Sequence, residues 1–272
     1  MTRAAWPIIV GGCHRSGTSL LRRLLNAHSR IHCGPEVKFF RDAYGDYPTD
    51  PVGHLRFFAT ARAIAPEDEL LTIMGGAFVR LHERAAERAG KPRWADKSPE
   101  NVVYLADWQR LLGDRWLFVH VVRNPLDTLA SIKETPFPRT IPPDLDGRIA
   151  FYQRYARAGL EFAAAYPDRY FRLRYEALVV GPERTLGRLM RWLGEAYERG
   201  QLAFNDRPHE SGLEDPKIAR TSGIHVKSVE RWAKVLTHEE AQAIKGETHE
   251  LWALLARSES AGSGEERRCS PR

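Results

Sequence analysis

An α/β domain with a mostly parallel central sheet flanked by helices is the architecture this sequence predicts, and three observations lead there. Short apolar strands alternate with helical patterns along the chain. The first strand runs into a glycine-bounded loop that opens a helix, a P-loop-like strand–loop–helix unit. Each later motif rich in polar and charged residues follows directly on a strand. Strands alternating with helices pair in parallel and are covered on both faces. Ligands of such sheets collect at the C-terminal ends of the strands.

The elements follow in order. Ile8–Val10 is the first strand, and the helix from Thr18 to Ala27 places leucines at 20, 21, 24 and 25, the spacing of one buried helical face. Ile31–Cys33 and Arg93–Ala95 are the second and third strands. Pro99 occupies a first-turn position, where its missing N–H costs nothing, and its helix is expected to run to Gly113. Leu117–Val122 is the best apolar strand. Ile149, Tyr152, Ala156, Gly159 and Ala163 mark one face of a long helix, and Tyr170–Leu173 is the fifth strand. The helix from Pro182 to Leu193 has proline near its start and Gly194 just past its end. Thr237-His238-Glu239-Glu240 is a capping box opening a last helix that ends around Leu255.

A chain of 272 residues suits one large domain, expected over residues 1–257. Residues 258–272, rich in Ser, Gly, Glu and Arg, are expected to form a disordered tail. The longest apolar runs are too short to span a bilayer, and the N-terminus lacks the apolar core of a secretory signal. Cys13, Cys33 and Cys269 are odd in number, scattered and without metal-ligand spacing. A soluble, cytoplasmic protein with reduced cysteines is expected. The balance of 41 basic against 35 acidic residues, +6, suits an anionic ligand. Nucleic acid is not expected as a partner, because the arginines are spread through amphipathic helices and no nucleic-acid-binding motif is present. Nothing in the sequence sets an oligomeric state.

The loop after the first strand reads Gly12-Cys13-His14-Arg15-Ser16-Gly17-Thr18-Ser19. Its glycine spacing is that of a triphosphate-binding loop, but Thr18 stands where that loop has its lysine. A strand, a glycine-bounded loop and a helix N-terminus form an anion site from backbone N–H groups and the helix dipole. Gly17 allows close backbone approach, the amides of Ser16 to Thr18 face the anion, and Thr18 and Ser19 add hydroxyls. The cation has moved into the loop as Arg15, whose planar fork grips an oxyanion. The same residues also suit an ordinary capped turn.

A second constellation is Arg123-Asn124-Pro125-Leu126-Asp127-Thr128-Leu129-Ala130-Ser131. Arg123 closes the best apolar strand and Ser131 lies in the second turn of the helix that Pro125 starts. The pair fits a second phosphate; alternatively Arg123 is helix punctuation paired with Asp127. A small-molecule kinase would want the loop lysine and an aspartate where Arg123 stands. A non-catalytic nucleotide- or partner-binding protein on the same fold is a further reading.

The two sites together resemble those of the sulfotransferases that use 3′-phosphoadenosine-5′-phosphosulfate (PAPS). Gly12 through Leu21 is similar to the family's 5′-phosphosulfate loop in its arginine-containing version, with His14 where a proline often stands. Arg123 through Ser131 resembles its 3′-phosphate motif, with the same eight-residue step from arginine to serine. Trp94 to Asn101, Leu173 to Leu178 before Pro182, and Val226 to Trp232 follow in the family's order. Asn26 to Glu36 resembles the tyrosylprotein sulfotransferase-like branch, where the matching glutamate is the catalytic base. Lys97-Ser98-Pro99 stands where cytosolic small-molecule sulfotransferases carry a histidine.

The resemblance implies transfer of a sulfuryl group from PAPS to an acceptor hydroxyl, or an amine, leaving adenosine 3′,5′-bisphosphate. Glu36 is implied as the base, with Arg15 and Lys97 stabilising charge on the transferring group. Arg15, Ser16, Gly17, Thr18 and Ser19 are implied at the 5′-phosphate, Arg123 and Ser131 at the 3′-phosphate. Tyr175 is either a wall of the nucleotide pocket or core, Arg231 lies near the phosphates, and either Thr221 or Ser222 makes a final contact. No metal is implied, since the cations come from the protein. The acceptor, whether small molecule, glycan or peptide, is not legible.

Overall fold

The computed structural model describes residues 3–44, 61–136, 140–206, 218 and 223–257. Thr221, Ser222, Cys269 and the expected tail at 258–272 lie outside the described residues. Five strands are present: β1 (Ile8–Gly11), β2 (Ile31–Cys33), β3 (Arg93–Lys97), β4 (Leu117–Val122) and β5 (Tyr170–Arg174). They form one sheet in the order β2–β3–β1–β4–β5. All four pairings are parallel, with Ile8 opposite both Ala95 and Leu117. From β1 the chain goes to the edge strand β2, returns inward to β3 beside β1, and then crosses to β4 and β5, so the connections after β1 and β4 leave in opposite directions. That reversal puts the loop after β1 at the crevice where ligands of open α/β sheets bind.

Side-chain alternation explains why the sheet is covered twice. Ile8 and Val10 of β1, with Leu117, Val119 and Val121 of β4, join one apolar cluster. Ile9, Phe118 and Val122 join the other. A period of two thus divides each strand between two cores. The first core is closed by α1 (Thr18–Asn26), whose Leu20, Leu21, Leu24 and Leu25 are buried. Across the second lie α2 (Gly76–Arg88), α3 (Leu105–Leu112), α4 (Pro125–Glu134) and α5 (Leu145–Ala165). The short α6 (Tyr175–Val180) and α7 (Pro182–Leu193) return to the α1 side, and α8 (His238–Ala256) packs on α5 and α4.

The expected punctuation is present. Gly194 adopts the left-handed conformation after α7, and both bonds of the Thr237–Glu240 capping box form. One expectation fails: the helix from Pro99 to Gly113 is in two pieces, a 3-10 turn over Pro99–Val103 and then α3. The Asn101 side chain donates to the Val10 carbonyl at 3.0 Å and to Asp96 at 2.7 Å, and accepts from Trp108 Nε1. These bonds tie the turn to β1 and β3, and the chain bends at Tyr104 (φ −114°, ψ 23°) before α3 can start. Among the described residues no helix is long and apolar enough to cross a membrane.

Candidate functional site

Close packing shapes the loop after β1. Gly12 lies so near Val121 that a Cβ there would run into the Val121 carbonyl. Gly17 (φ 96°, ψ 16°) is the N-cap of α1, and a Cβ on it would collide with the Tyr175 ring. Among the described residues no side chain caps α1, which leaves its first-turn amides and its dipole for an outside acceptor. The Ser16 amide does not join them, contrary to expectation. It donates to the Cys13 carbonyl at 3.1 Å, closing the turn inside the loop. Arg15 itself is left-handed (φ 68°), a conformation costing a non-glycine residue about 1 kcal/mol.

The two anion sites of the sequence are one cluster. Arg15 Nε donates to Ser131 Oγ at 3.1 Å, and Arg123 donates to the Arg15 carbonyl at 2.8 Å. Arg123 also donates to the Ser228 carbonyl and lies over the Tyr175 ring, 4.6 Å from its centroid. Burial pulls the Arg123 guanidinium below its ordinary pKa, with Tyr175 and Asp127 opposing. Its Nε is buried and has no hydrogen-bond partner among the described residues. A buried orphan donor beside a helix N-terminus suits an anionic ligand group.

The other half of the site follows β2 and β3. Glu36 lies three residues past β2, and Lys97 is the last residue of β3. Lys97 is wholly buried; its ammonium donates to Ser19 Oγ at 3.0 Å and to the Glu36 carboxylate. The second Glu36 oxygen is 3.3 Å from the Lys38 ammonium.

Arg15, Gly17, Thr18, Ser19, Glu36, Arg123, Ser131, Tyr175 and Arg231 line one cleft. Ser16 and Lys97 are buried at 1% and 0% exposure, Lys97 behind Ser19 and Glu36. Tyr175 proves to be both wall and core, since its ring borders the cleft and packs among Leu173, Leu178 and Leu186. Arg231 is half exposed and paired with Glu134. Among the described residues no group of three or more His, Cys, Asp or Glu side chains is placed to hold a metal ion.

Two buried acids have roles that the sequence reading did not give them. Asp127, considered above as a partner for Arg123, instead accepts from the amides of Glu230 at 2.9 Å and Trp232 at 3.0 Å. It fastens the segment that brings Ser228 and Arg231 to the cleft. Glu100 gathers side chains from two other segments through one oxygen: the His14 imidazole at 3.2 Å, Lys38 at 3.3 Å and Arg41 at 2.8 Å. Its position after Lys97-Ser98-Pro99 was the one available signal. His120 belongs to the core: it is buried, bonded to the Tyr170 hydroxyl, and its ring fills the space left by Gly159. Cys13 and Cys33 are free and buried, and burial pushes the Cys33 thiol up to about 12.

A family model described as the sulfotransferase family matches residues 7–199. The chain belongs to the sulfotransferase family. The match runs from β1 through α7 and includes Arg15, Glu36, Lys97, Arg123, Ser131 and Tyr175, while Arg231 lies beyond it. A putative protein-tyrosine sulfotransferase from Caenorhabditis briggsae is 24% identical over 233 residues, covering 83% of this chain and 80% of that one. Two solved sulfotransferase domains share the fold. That of the Synechococcus PCC 7002 olefin synthase has a TM-score of 0.67 at 19% identity, covering 93% of this chain and 94% of its own. That of the curacin biosynthetic pathway has a TM-score of 0.61 at 18% identity, covering 90% and 97%. These sulfotransferase structures have the same α/β architecture as this chain.

Proposed function

We propose that this sulfotransferase-family chain moves the sulfuryl group of PAPS to an acceptor hydroxyl, less readily an amine, with Glu36 as general base. The observation that carries the reading is the joining of Arg15, Ser131 and Arg123 at the open N-terminus of α1, with the Glu36–Lys97 pair reaching Ser19 in the same helix. PAPS supplies, when bound, a sulfuryl group on a 5′-phosphate and leaves as adenosine 3′,5′-bisphosphate.

The first-turn amides of α1, with the Thr18 and Ser19 hydroxyls, hold the 5′-phosphate. Arg123 and Ser131 hold the 3′-phosphate, and the buried Arg123 Nε is the donor still lacking an acceptor. Glu36 accepts the proton that the acceptor oxygen loses as its bond to sulfur forms. Arg15 and Lys97 supply positive charge where it builds on the transferring group and the leaving phosphate oxygen. Lys97 is bonded to both Ser19 and Glu36, so one ammonium joins the anion loop to the base. Arg231 adds charge at the cleft rim. These cations serve without a metal.

The relative named as a protein-tyrosine sulfotransferase favours a hydroxyl acceptor, carried by a small molecule, a glycan or a peptide. The buried, free Cys13 and Cys33 suit a cytoplasmic enzyme. Calorimetry with adenosine 3′,5′-bisphosphate, ATP with magnesium, and AMP tests the donor assignment. Binding of the bisphosphate without metal, tighter than AMP, is expected. Preference for ATP with magnesium would restore the kinase reading, and no binding would favour a non-catalytic protein.

A further inference from the structure

We infer that Glu100 is a positioning residue for the base: it holds Lys38 and Arg41 on the cleft wall so that Lys38 orients Glu36. The inference rests on the sulfotransferase reading above and adds to it a residue outside the nucleotide contacts.

Glu100 sits in the turn after β3 and is 3% exposed. Its Oε1 faces His14 of the anion loop together with Lys38 and Arg41 of the segment after β2. Burial alone would raise its carboxyl pKa, but His14 and Lys38 outweigh burial and hold it well below the usual carboxylate range. Its Oε2 is buried without a hydrogen-bond partner among the described residues. A carboxylate that meets Lys38, Arg41 and the His14 imidazole on one oxygen, with the other oxygen bare, is a poor device for stability alone.

The Lys38 ammonium lies 3.3 Å from Glu100 and 3.3 Å from Glu36 Oε2, so it bridges the two carboxylates. On its far side Glu36 meets Lys97, which reaches Ser19. Charges therefore alternate from Glu100 through Lys38, Glu36 and Lys97 to the first turn of α1. Lys38 is held in the left-handed region (φ 52°), and such backbone strain persists where surrounding contacts fix it. Without the Glu100 charge, Arg41 keeps its pair with Asp42 at 2.6 Å, whereas Lys38 is left with Glu36 and is drawn onto the base.

The test is a double-mutant cycle of Glu100→Gln and Glu36→Gln, with Glu100→Asp as the conservative variant. Two readouts are used: calorimetric affinity and stoichiometry for adenosine 3′,5′-bisphosphate, and bisphosphate formed from PAPS with p-nitrophenol or water as acceptor, per binding site. Glu100→Gln should lower turnover at least 10-fold while bisphosphate affinity changes less than threefold, and Glu100→Asp should recover part of the loss. Added to Glu36→Gln, it should cost little more, because it acts through that base. Losses that multiply in the double variant, or a bisphosphate affinity that falls more than 10-fold in Glu100→Gln, would overturn the positioning role. Wild type that binds bisphosphate but never consumes PAPS would also overturn it, since no base would then be at work. A wild type that does not bind the bisphosphate would instead sink the sulfotransferase reading itself.

Discussion

Arg123 offers the sharpest test of the proposed nucleotide site, because its guanidinium has several separable duties. Two of its nitrogens donate to the carbonyls of Arg15 and Ser228, its plane covers Tyr175, and its Nε has no partner among the described residues. If Arg123 holds the 3′-phosphate as proposed, Arg123→Ala removes a charged hydrogen bond worth about 1.5–3 kcal/mol, or roughly 10- to 150-fold in affinity. It also strips one buried and one half-buried carbonyl of their donor, at about 1 kcal/mol each, a shift of roughly 4–8 °C in Tm. Arg123→Lys keeps the charge but lacks the fork, and should fall between the two. The discriminating assay pairs the variant with a ligand change. Adenosine 3′,5′-bisphosphate should lose its advantage over AMP in Arg123→Ala, because AMP has no 3′-phosphate to forfeit. Equal losses for both ligands would mean that Arg123 acts only by bracing the loop, and the 3′-phosphate assignment would be wrong.

Three other consequences can be checked. Glu36→Gln should lower turnover about 100-fold or more while bisphosphate affinity stays within about threefold; unchanged turnover removes Glu36 from the mechanism. Gly17→Ala puts a Cβ against the Tyr175 ring at φ 96°, so denaturation should show a loss of about 1–3 kcal/mol and calorimetry a weaker bisphosphate. A stable variant with normal affinity would contradict the loop geometry. His120 is pushed down to about 3, by burial first and then by Arg172, from an ordinary 6.5. The unfolded chain therefore binds the extra proton, and the contribution of His120 is complete above pH 6.5 and drains as pH falls toward 3. That amounts to about 1.6 kcal/mol lost between pH 6.5 and 5, the slope approaching about 1.4 kcal/mol per unit below pH 6. Urea denaturation at the two pH values should show this loss in wild type and a smaller one in His120→Gln; equal losses would refute it. Glu100, held low, contributes to this slope only below the ordinary carboxylate range near 4.5.

What the sequence revealed and concealed follows from how far each signal reaches along the chain. β2 and β4 are legible to the residue because both are continuous runs buried on two faces. α7 and α8 are legible because Pro182, Gly194 and the Thr237 capping box act within a few residues of each helix end. The break at Tyr104 is not, since it comes from Asn101 bonding to β1 and β3. The union of Arg15 with Ser131 spans 116 positions, and the grip of Asp127 on Glu230 spans 103. Left-handed backbone at Arg15, Lys38 and Glu230 carries no local sign either, because none of them is glycine.

The same contrast separates the two sides of the cleft. On the side of Glu36, charges neutralise one another: Lys97 and Lys38 meet Glu36, while Lys38 and Arg41 meet Glu100. Mutual pairing lets several buried ions share one wall, where any of them alone would be costly. On the nucleotide side Arg123 donates to two neutral carbonyls, and α1 begins without a side-chain cap. Backbone carbonyls orient the guanidinium without cancelling its charge, so that charge and the helix dipole both remain for a phosphate. A site divided in this way suits a polyanion on one side and presents an internally balanced wall on the other, which is the division of labour that the proposed transfer from a charged donor to a neutral hydroxyl would require.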